Sequence, residues 1–245
     1  MISQLHRSGI DSEVFGFDVY SLDETSTQRE FADSIRLLEL QNSKAYVAFR
    51  TAIENVSQIH LAERFGFEFV ETQFRTVLKL RKEFDTSKFP YDYIRIEDES
   101  KLQEALIIAK STIEHDRFSR DPVIGKELSG ERYERYLRDS FERHDDEIWC
   151  VQSRETGRLL TFRSHRIIDD REVSLLIGGV HPDFKNLGLG VVSSHFCFNQ
   201  LRESNFKRAV THISAANVPI LNLEVGHFDF QVISSFVILR KLINF

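Results

Sequence analysis

The chemistry of this chain concentrates in one stretch, Val180-His181-Pro182-Asp183-Phe184-Lys185-Asn186-Leu187-Gly188-Leu189-Gly190. Residues 172–180 read as a strand that runs into it, and 191–201 as a helix that runs out. Gly188 and Gly190 fall where strand gives way to helix. Missing side chains there let backbone N–H groups converge on a ligand. The helix N-terminus adds about half a positive charge and several unpaired donors. Such a junction suits a phosphate or a diphosphate. A Walker loop would need Gly-x-x-x-x-Gly-Lys-Ser/Thr, which is absent. A dinucleotide fingerprint would need Gly-x-Gly-x-x-Gly early in a βαβ unit, which is absent too. The pattern present is Val-x-Pro-x-Phe-Lys-x-x-Gly-x-Gly. A strand–Gly-x-Gly–helix junction alone is also an ordinary tight turn; the full pattern is more specific. Downstream, Ser214-Ala215-Ala216-Asn217-Val218-Pro219-Ile220-Leu221 reads as a strand, an Asn and a helix. Asn is a common helix N-cap, so Asn217 can serve the helix and a ligand together.

These two segments resemble the acetyl-CoA motif of the GCN5-related N-acetyltransferases. That family shows Val-x-Pro, an aromatic residue, then Gln/Arg-x-x-Gly-x-Gly/Ala between a strand and a helix. The resemblance implies the family's fold, a central mixed sheet flanked by helices, and acetyl-CoA as cofactor. It implies that strand amides at Gly179 and Val180 hold the pantetheine arm. The loop amides of Lys185, Asn186, Leu187, Gly188, Leu189 and Gly190 would hold the diphosphate, and Asn217 would contact the cofactor or splay its strand. Lys185 stands where Gln or Arg is usual, a tolerable change at a position that works through its backbone. An amine would attack the thioester directly, and the amide at or beside Val180 would stabilise the oxyanion.

One departure concerns catalysis. The family's usual general acid is a Tyr seven residues beyond the Asn, and here that position is Glu224. All six tyrosines precede the motif. Three assignments stay open: Glu224 with a pKa raised by burial, a water or His227 in its place, or a catalytically weakened chain. The plain alternative for Glu224 is a solvated helix residue. His181, at the end of the cofactor strand, is within reach of an acceptor amine as a base; a structural role competes with it.

The N-terminal part is similar to a narrower group, the TDP-fucosamine acetyltransferase-like enzymes, which acetylate the amine of a nucleotide-linked amino sugar. The matching segment is His115-Asp116-Arg117-Phe118-Ser119-Arg120-Asp121-Pro122, followed by a helix through Tyr133 and Tyr136. Phe15-Gly16-Phe17 and Phe65-Gly66-Phe67 fit as well. This resemblance implies that His115, Arg117 and Arg120 contact the sugar or its phosphates, with loop solvation as the competing account. It also implies a smaller degenerate acetyltransferase-like first half.

The elements that must position these residues alternate between strand and helix, so the class is α/β or α+β. The first half reads as a strand over 15–22, a helix over 28–40, a strand over 44–51, a helix over 54–65 and a strand or hairpin over 67–80. Gly66 is a C-terminal helix cap. The charged stretch 81–88 before Pro90 is the linker, dividing the chain into domains 1–88 and 91–245. The second part reads as a short strand over 93–96, a helix capped by Ser100, a helix over 126–143, strands over 147–152, 159–168 and 172–180, then the motif. Strand 208–214, helix 218–225 and strand 231–239 close it. Leu61 to Phe67 and Leu221 to Phe230 have a similar helix–Gly–Phe shape, a faint internal repeat.

With 245 residues, 41% hydrophobic and 29% charged, the chain is a folded globular protein. A net charge of −6 argues against a general nucleic-acid binder. No apolar run reaches the roughly 18–20 residues that span a bilayer, and the first seven residues lack the apolar core of a signal peptide. Two cysteines, Cys150 and Cys197, sit in apolar runs and cannot build a disulfide framework, which points to a reducing cytoplasm. No His/Cys/Asp/Glu cluster has metal-ligand spacing, so no metal is expected. The expected partners are small molecules, with neither nucleic acid nor membrane among them; a homodimer stays open.

Overall fold

The computed structural model describes residues 5–24, 27–41, 43–112 and 114–245. Residues 1–4, the start of the segment expected to lack a signal peptide, lie outside the described residues. The first half runs β1 (Leu5–Arg7), α1 (Gly9–Phe15), β2 (Asp18–Leu22), α2 (Gln28–Leu40), β3 (Ala45–Ala52), α3 (Val56–Arg64) and β4 (Glu68–Lys79). The second runs β5 (Tyr91–Arg95), α4 (Glu99–Thr112), α5 (Arg117–Arg120), α6 (Gly125–Arg143), β6 (Glu147–Ser153), β7 (Leu159–Ile167) and β8 (Glu172–Val180). It ends with α7 (Leu189–Glu203), β9 (Arg208–Ser214), α8 (Val218–Leu221) and β10 (Gln231–Ile243). A 3₁₀ turn covers Pro182–Phe184 and a π-helical turn covers Asn222–His227.

Local chemistry explains most boundaries. Thr27 and Glu30 form a reciprocal capping box at the start of α2. Phe31, Ile35 and Leu38 then fall on one buried face. Gly66, with φ 78°, lets the chain turn left-handed behind α3. Two expectations fail for identifiable reasons. The strand expected over 15–22 begins only at Asp18, because Phe15 ends α1, which Ser8 caps, and Gly16 closes it at φ 73°. The cap of α4 is Asp98, whose carboxylate accepts from the Lys101 amide at 2.9 Å; Ser100 lies inside the first turn.

The sheet has ten strands in the order β1-β2-β3-β10-β4-β9-β8-β7-β6-β5. β10 runs antiparallel between β3 and β4, and β4 runs antiparallel between β10 and β9. Each half therefore places its last strand between strands of the other, and one hydrogen-bonded sheet spans residues 5–243. Side chains alternate across it. Val237, Leu239 and Ile243 pack under α2 and α3 with Phe31 and Phe49. Leu78 and Ala209, on the same face, pack under α7 with Cys197 and Phe198. The opposite face carries α1, α5 and α6 over Tyr46, Ala48 and Leu242, and α4 with α6 over Ile148, Cys150 and Phe162. Phe31 meets Phe49 and Phe67 edge to face at 5.5 Å each, which accounts for part of the high Phe content.

One irregularity positions the site. β8 and β9 are parallel, but they pair only through Glu172↔Arg208, Val173↔Ala209 and Ser174↔Val210. Beyond Ser174 the strands part. On its other edge β8 is bulged: β7 advances from Arg163 to His165 while β8 advances from Gly178 back to Leu175, one residue further. Gly179 sits under α4, where an added Cβ would lie 2.7 Å from Ile108 Cγ2 and closer still to Thr112 Oγ1. Its lack of a side chain allows α4 to pack directly on the diverging strand.

Candidate functional site

The gap between the diverging strands is a cavity of about 420 Å³. Leu175 to Val180 of β8 wall one side, and Thr211 to Ser214 of β9 wall the other. Thr112, Glu114, His115, Asp116 and Tyr133 close it on the α4–α6 side. Lys185, Gly190, Ser193, Asn217, Ile220 and Glu224 close it on the α7 side. The cavity therefore passes through the sheet. Beyond Ser174 the edge of β8 that faces β9 has no ladder partner, so its backbone groups can bond a ligand instead.

The glycine loop opens on this cavity. Asn186 and Gly188 are left-handed, at φ 66° and 75°, and Gly188 is the N-cap of α7 without a side-chain cap. Lys185 spends its N–H on Pro182, but no acceptor in the described residues takes the N–H groups of Asn186, Leu187, Gly188, Leu189 or Gly190. Successive donors around alternating left-handed residues form an anion-binding nest at the start of a 15-residue helix. An added Cβ on Gly188 or Gly190 would meet nothing within 4 Å. Packing thus leaves free the space beside these amides. The residues present fit a diphosphate held by the main chain.

α7 is held in place by groups that the sequence did not single out. Arg163 of β7 donates to Ser193 Oγ at 3.2 Å and to Ser194 Oγ at 2.6 Å. Thr161 donates to Ser193 at 3.0 Å, and Ser194 donates to the Gly190 carbonyl at 2.9 Å. Arg163 thus ties the N-terminal part of α7 to β7 at the cavity wall. An arginine in a strand has no local sequence signature that would reveal this.

Glu224 lies on the π-helical turn, 8% exposed, and lines the cavity. The expectation of one regular helix over 218–225 gives way to α8 and this widened turn, a form often found at functional sites. One carboxyl oxygen of Glu224 is buried without a hydrogen-bond partner. Burial raises its pKa to about 7, and the charge of Arg163 is the influence that lowers it. The solvated-residue alternative is thereby overturned. His227, its rival as acid, lines a different hollow with Phe84 and Phe228.

The other candidates divide. Gly179, Val180, Lys185, Gly190 and Asn217 line the cavity, and Asn217 also caps α8 by accepting from the Ile220 amide at 3.4 Å. Asn186, Leu187, Gly188 and Leu189 form the adjoining nest, with the Leu189 side chain buried under Val151 and Leu160. His181 stands apart from these: its ring accepts from the Asp183 amide at 3.2 Å, capping the 3₁₀ turn, and it is not among the residues that line the cavity. Its neighbours are Arg158 and Asp183, themselves paired at 2.5 Å. His115 does line the cavity. Arg117 stacks on Phe118 at 4.5 Å beside it, while Arg120 is exposed and outside it. Much of this segment is architectural. Asp116 caps α5, and buried Asp121 joins Tyr46 at 3.2 Å to Arg240 at 3.0 Å.

The architecture is that of the GCN5-related N-acetyltransferase (GNAT) proteins in tandem form. A functionally unknown conserved protein from Staphylococcus epidermidis superposes with a TM-score of 0.65 at 12% identity, over 98% of this chain and 91% of its own. A tandem GNAT protein from the clavulanic acid biosynthesis pathway gives 0.60 at 11% identity, over 91% and 75%. A GCN5-related N-acetyltransferase from Sphaerobacter thermophilus gives 0.60 at 15% identity, over 91% and 73%. No protein-family model and no curated protein matches the chain. Among the described residues no group of three or more His, Cys, Asp or Glu is placed to hold a metal ion. Among them, too, no helix is long and apolar enough to cross a membrane.

Proposed function

We propose that this chain is an acyl-CoA-dependent N-acetyltransferase with one donor site, in its second half. The observation that carries this reading is the run of unpaired amides from Asn186 to Gly190 opening on a cavity between diverging strands, with a buried carboxyl inside. Acetyl-CoA would supply an activated acyl group and a thiolate leaving group. The nest and the α7 N-terminus would bind its diphosphate, and the unpaired edge of β8 would bond the amide-bearing arm. Glu224, whose pKa burial raises to about 7, would give a proton to the leaving sulfur. Water would take the proton of the incoming amine.

The acceptor we favour is a nucleotide-linked amino sugar, on the resemblance of the 115–122 segment and the presence of His115 at the cavity. The place we assign is the cytoplasm, which supplies acetyl-CoA and keeps both buried cysteines reduced. Calorimetric titration with CoA tests the donor site. The wild-type chain is expected to bind, and Gly190→Trp, which fills the open space beside the amides, is expected to abolish binding without lowering Tm. Equal affinity in the variant would remove the loop from the site. CoA binding with no transfer to UDP- or TDP-amino sugars, peptides or amino acids would instead mark a weakened binding protein, a reading favoured by Glu224 where the fold's usual Tyr would stand.

A further inference from the structure

The sheet face that carries α4–α6 leaves a basic patch uncovered beside the cavity. Register places it there. Ile238 of β10 lies opposite Arg50 of β3 on one side and Glu71 of β4 on the other. Arg75 of β4 lies opposite His212 of β9. Residues directly opposite share a face. Tyr46 and Ala48, four and two residues before Arg50, pack against Phe118 of α5, so this is the α5–α6 face. Arg117 joins it from α5, which contacts β4.

Among the described residues these three guanidinium groups have no carboxylate partner, in contrast to their neighbour Arg240. Arg240, on the same face, is tied to Glu68 and Asp121. Among the described residues no carboxylate lies within ion-pair distance of Arg50, Arg75 or Arg117. Arg50 instead stacks on Phe236 at 3.8 Å. Burial, then the charges of Arg117 and Arg75, lower its pKa, so the arginines crowd one another. The nearest acids offset little. Asp116 is committed to the α5 cap and to Ser129. Glu71 is 3% exposed, and burial raises its pKa.

The patch adjoins the cavity and not the glycine nest. Gln73 and His212, on this face of β4 and β9, line the cavity wall. The nest belongs to α7, which packs on the opposite face over Leu78 and Ala209. A donor diphosphate in the nest therefore leaves the arginines free for something that enters from the other side.

We propose that the acceptor carries an anionic group, a phosphate or a carboxylate, remote from its amine, and that Arg50, Arg75 and Arg117 hold this group at the α4–α6 mouth of the cavity. The proposal rests on the acetyl-transfer reading for the word acceptor, but not for the anion site itself. Guanidinium forks bond both oxyanions bidentately. Stacking on Phe236 pre-orients Arg50, which reduces the ordering cost of binding.

Calorimetry on the full chain tests this, with CoA in excess to fill the nest, and inorganic pyrophosphate or succinate as the titrant. Binding of at least one anion is expected, weakened about tenfold in R50Q and in R75Q, with R75K recovering part of the loss. Tighter pyrophosphate identifies a phosphate acceptor, and tighter succinate a carboxylate. Both arginines are on strands at the surface, so far-UV circular dichroism and CoA affinity should be unchanged. Binding of neither anion, or equal binding in R50Q and R75Q, overturns the proposal. Failure of CoA to bind while anions still bind with the same arginine dependence would strike the acetyl-transfer reading alone.

Discussion

Glu224→Gln isolates the energetic consequence of a buried carboxyl. Burial moves the folded-state pKa from 4.5 to about 7. At ~1.36 kcal/mol per pH unit, this single group makes folding about 3 kcal/mol less favourable above pH 7 than below pH 4.5. The sign follows from proton uptake. Between these values the folded chain holds the proton that the unfolded chain has released, so stability falls as pH rises through the window and levels off above it. Gln has the same shape and no charge. Urea denaturation of both proteins at half-unit steps from pH 4.5 to 8 should show the variant gaining on the wild type by about 3 kcal/mol across that range. Other titrating groups cancel in the difference. A constant difference would mean that Glu224 ionises freely, and the argument for it as a proton donor would go with it. If the donor role holds, the same variant should lose about 10²-fold in turnover while CoA affinity changes little.

Arg163→Gln removes the charge that lowers the Glu224 pKa, so the pH window of that carboxyl should move above 7, read by carboxyl-carbon NMR. The same change frees Ser193 and Ser194, and amide exchange in the second turn of α7 should accelerate. Gly179→Val should cost about 1–3 kcal/mol by overpacking against α4, measured by urea denaturation, whereas Gly190→Ala should change stability by no more than about 0.5 kcal/mol. An equal cost at both glycines would refute the contrast between a glycine needed for packing and one needed for access.

Residues 180–190 made the proposed donor site legible because a backbone-binding loop depends on local sequence. Gly at a left-handed position and at a helix start leaves a mark within a few residues. Asn217 was legible for the same reason, since its cap acts three residues away. Strand and helix periodicity likewise located most elements. It failed at residues 15–17, where alternating Phe15 and Phe17 flank the Gly16 helix cap and the strand begins only at Asp18. Glu224 was found by counting from Asn217, but its burial could not be read: nothing adjacent in sequence desolvates it. The cap that His181 gives the amide two residues ahead is local, but nothing adjacent in sequence told it apart from a site position.

What the sequence determined by itself was therefore the alternation of elements, the glycine-opened junction, and the absence of Tyr at position 224. What only the tertiary structure decided was long-range. β10 enters between β3 and β4, and β4 beside β9, so residues more than a hundred positions apart share one sheet. That exchange brings Arg75 opposite His212 and seats Arg50 on Phe236, and the early parting of β8 from β9 opens the cavity. Strand pairing is selected by the summed burial of two faces over the whole sheet. No single segment carries that sum, so register and partner strand emerge only when the chain is folded.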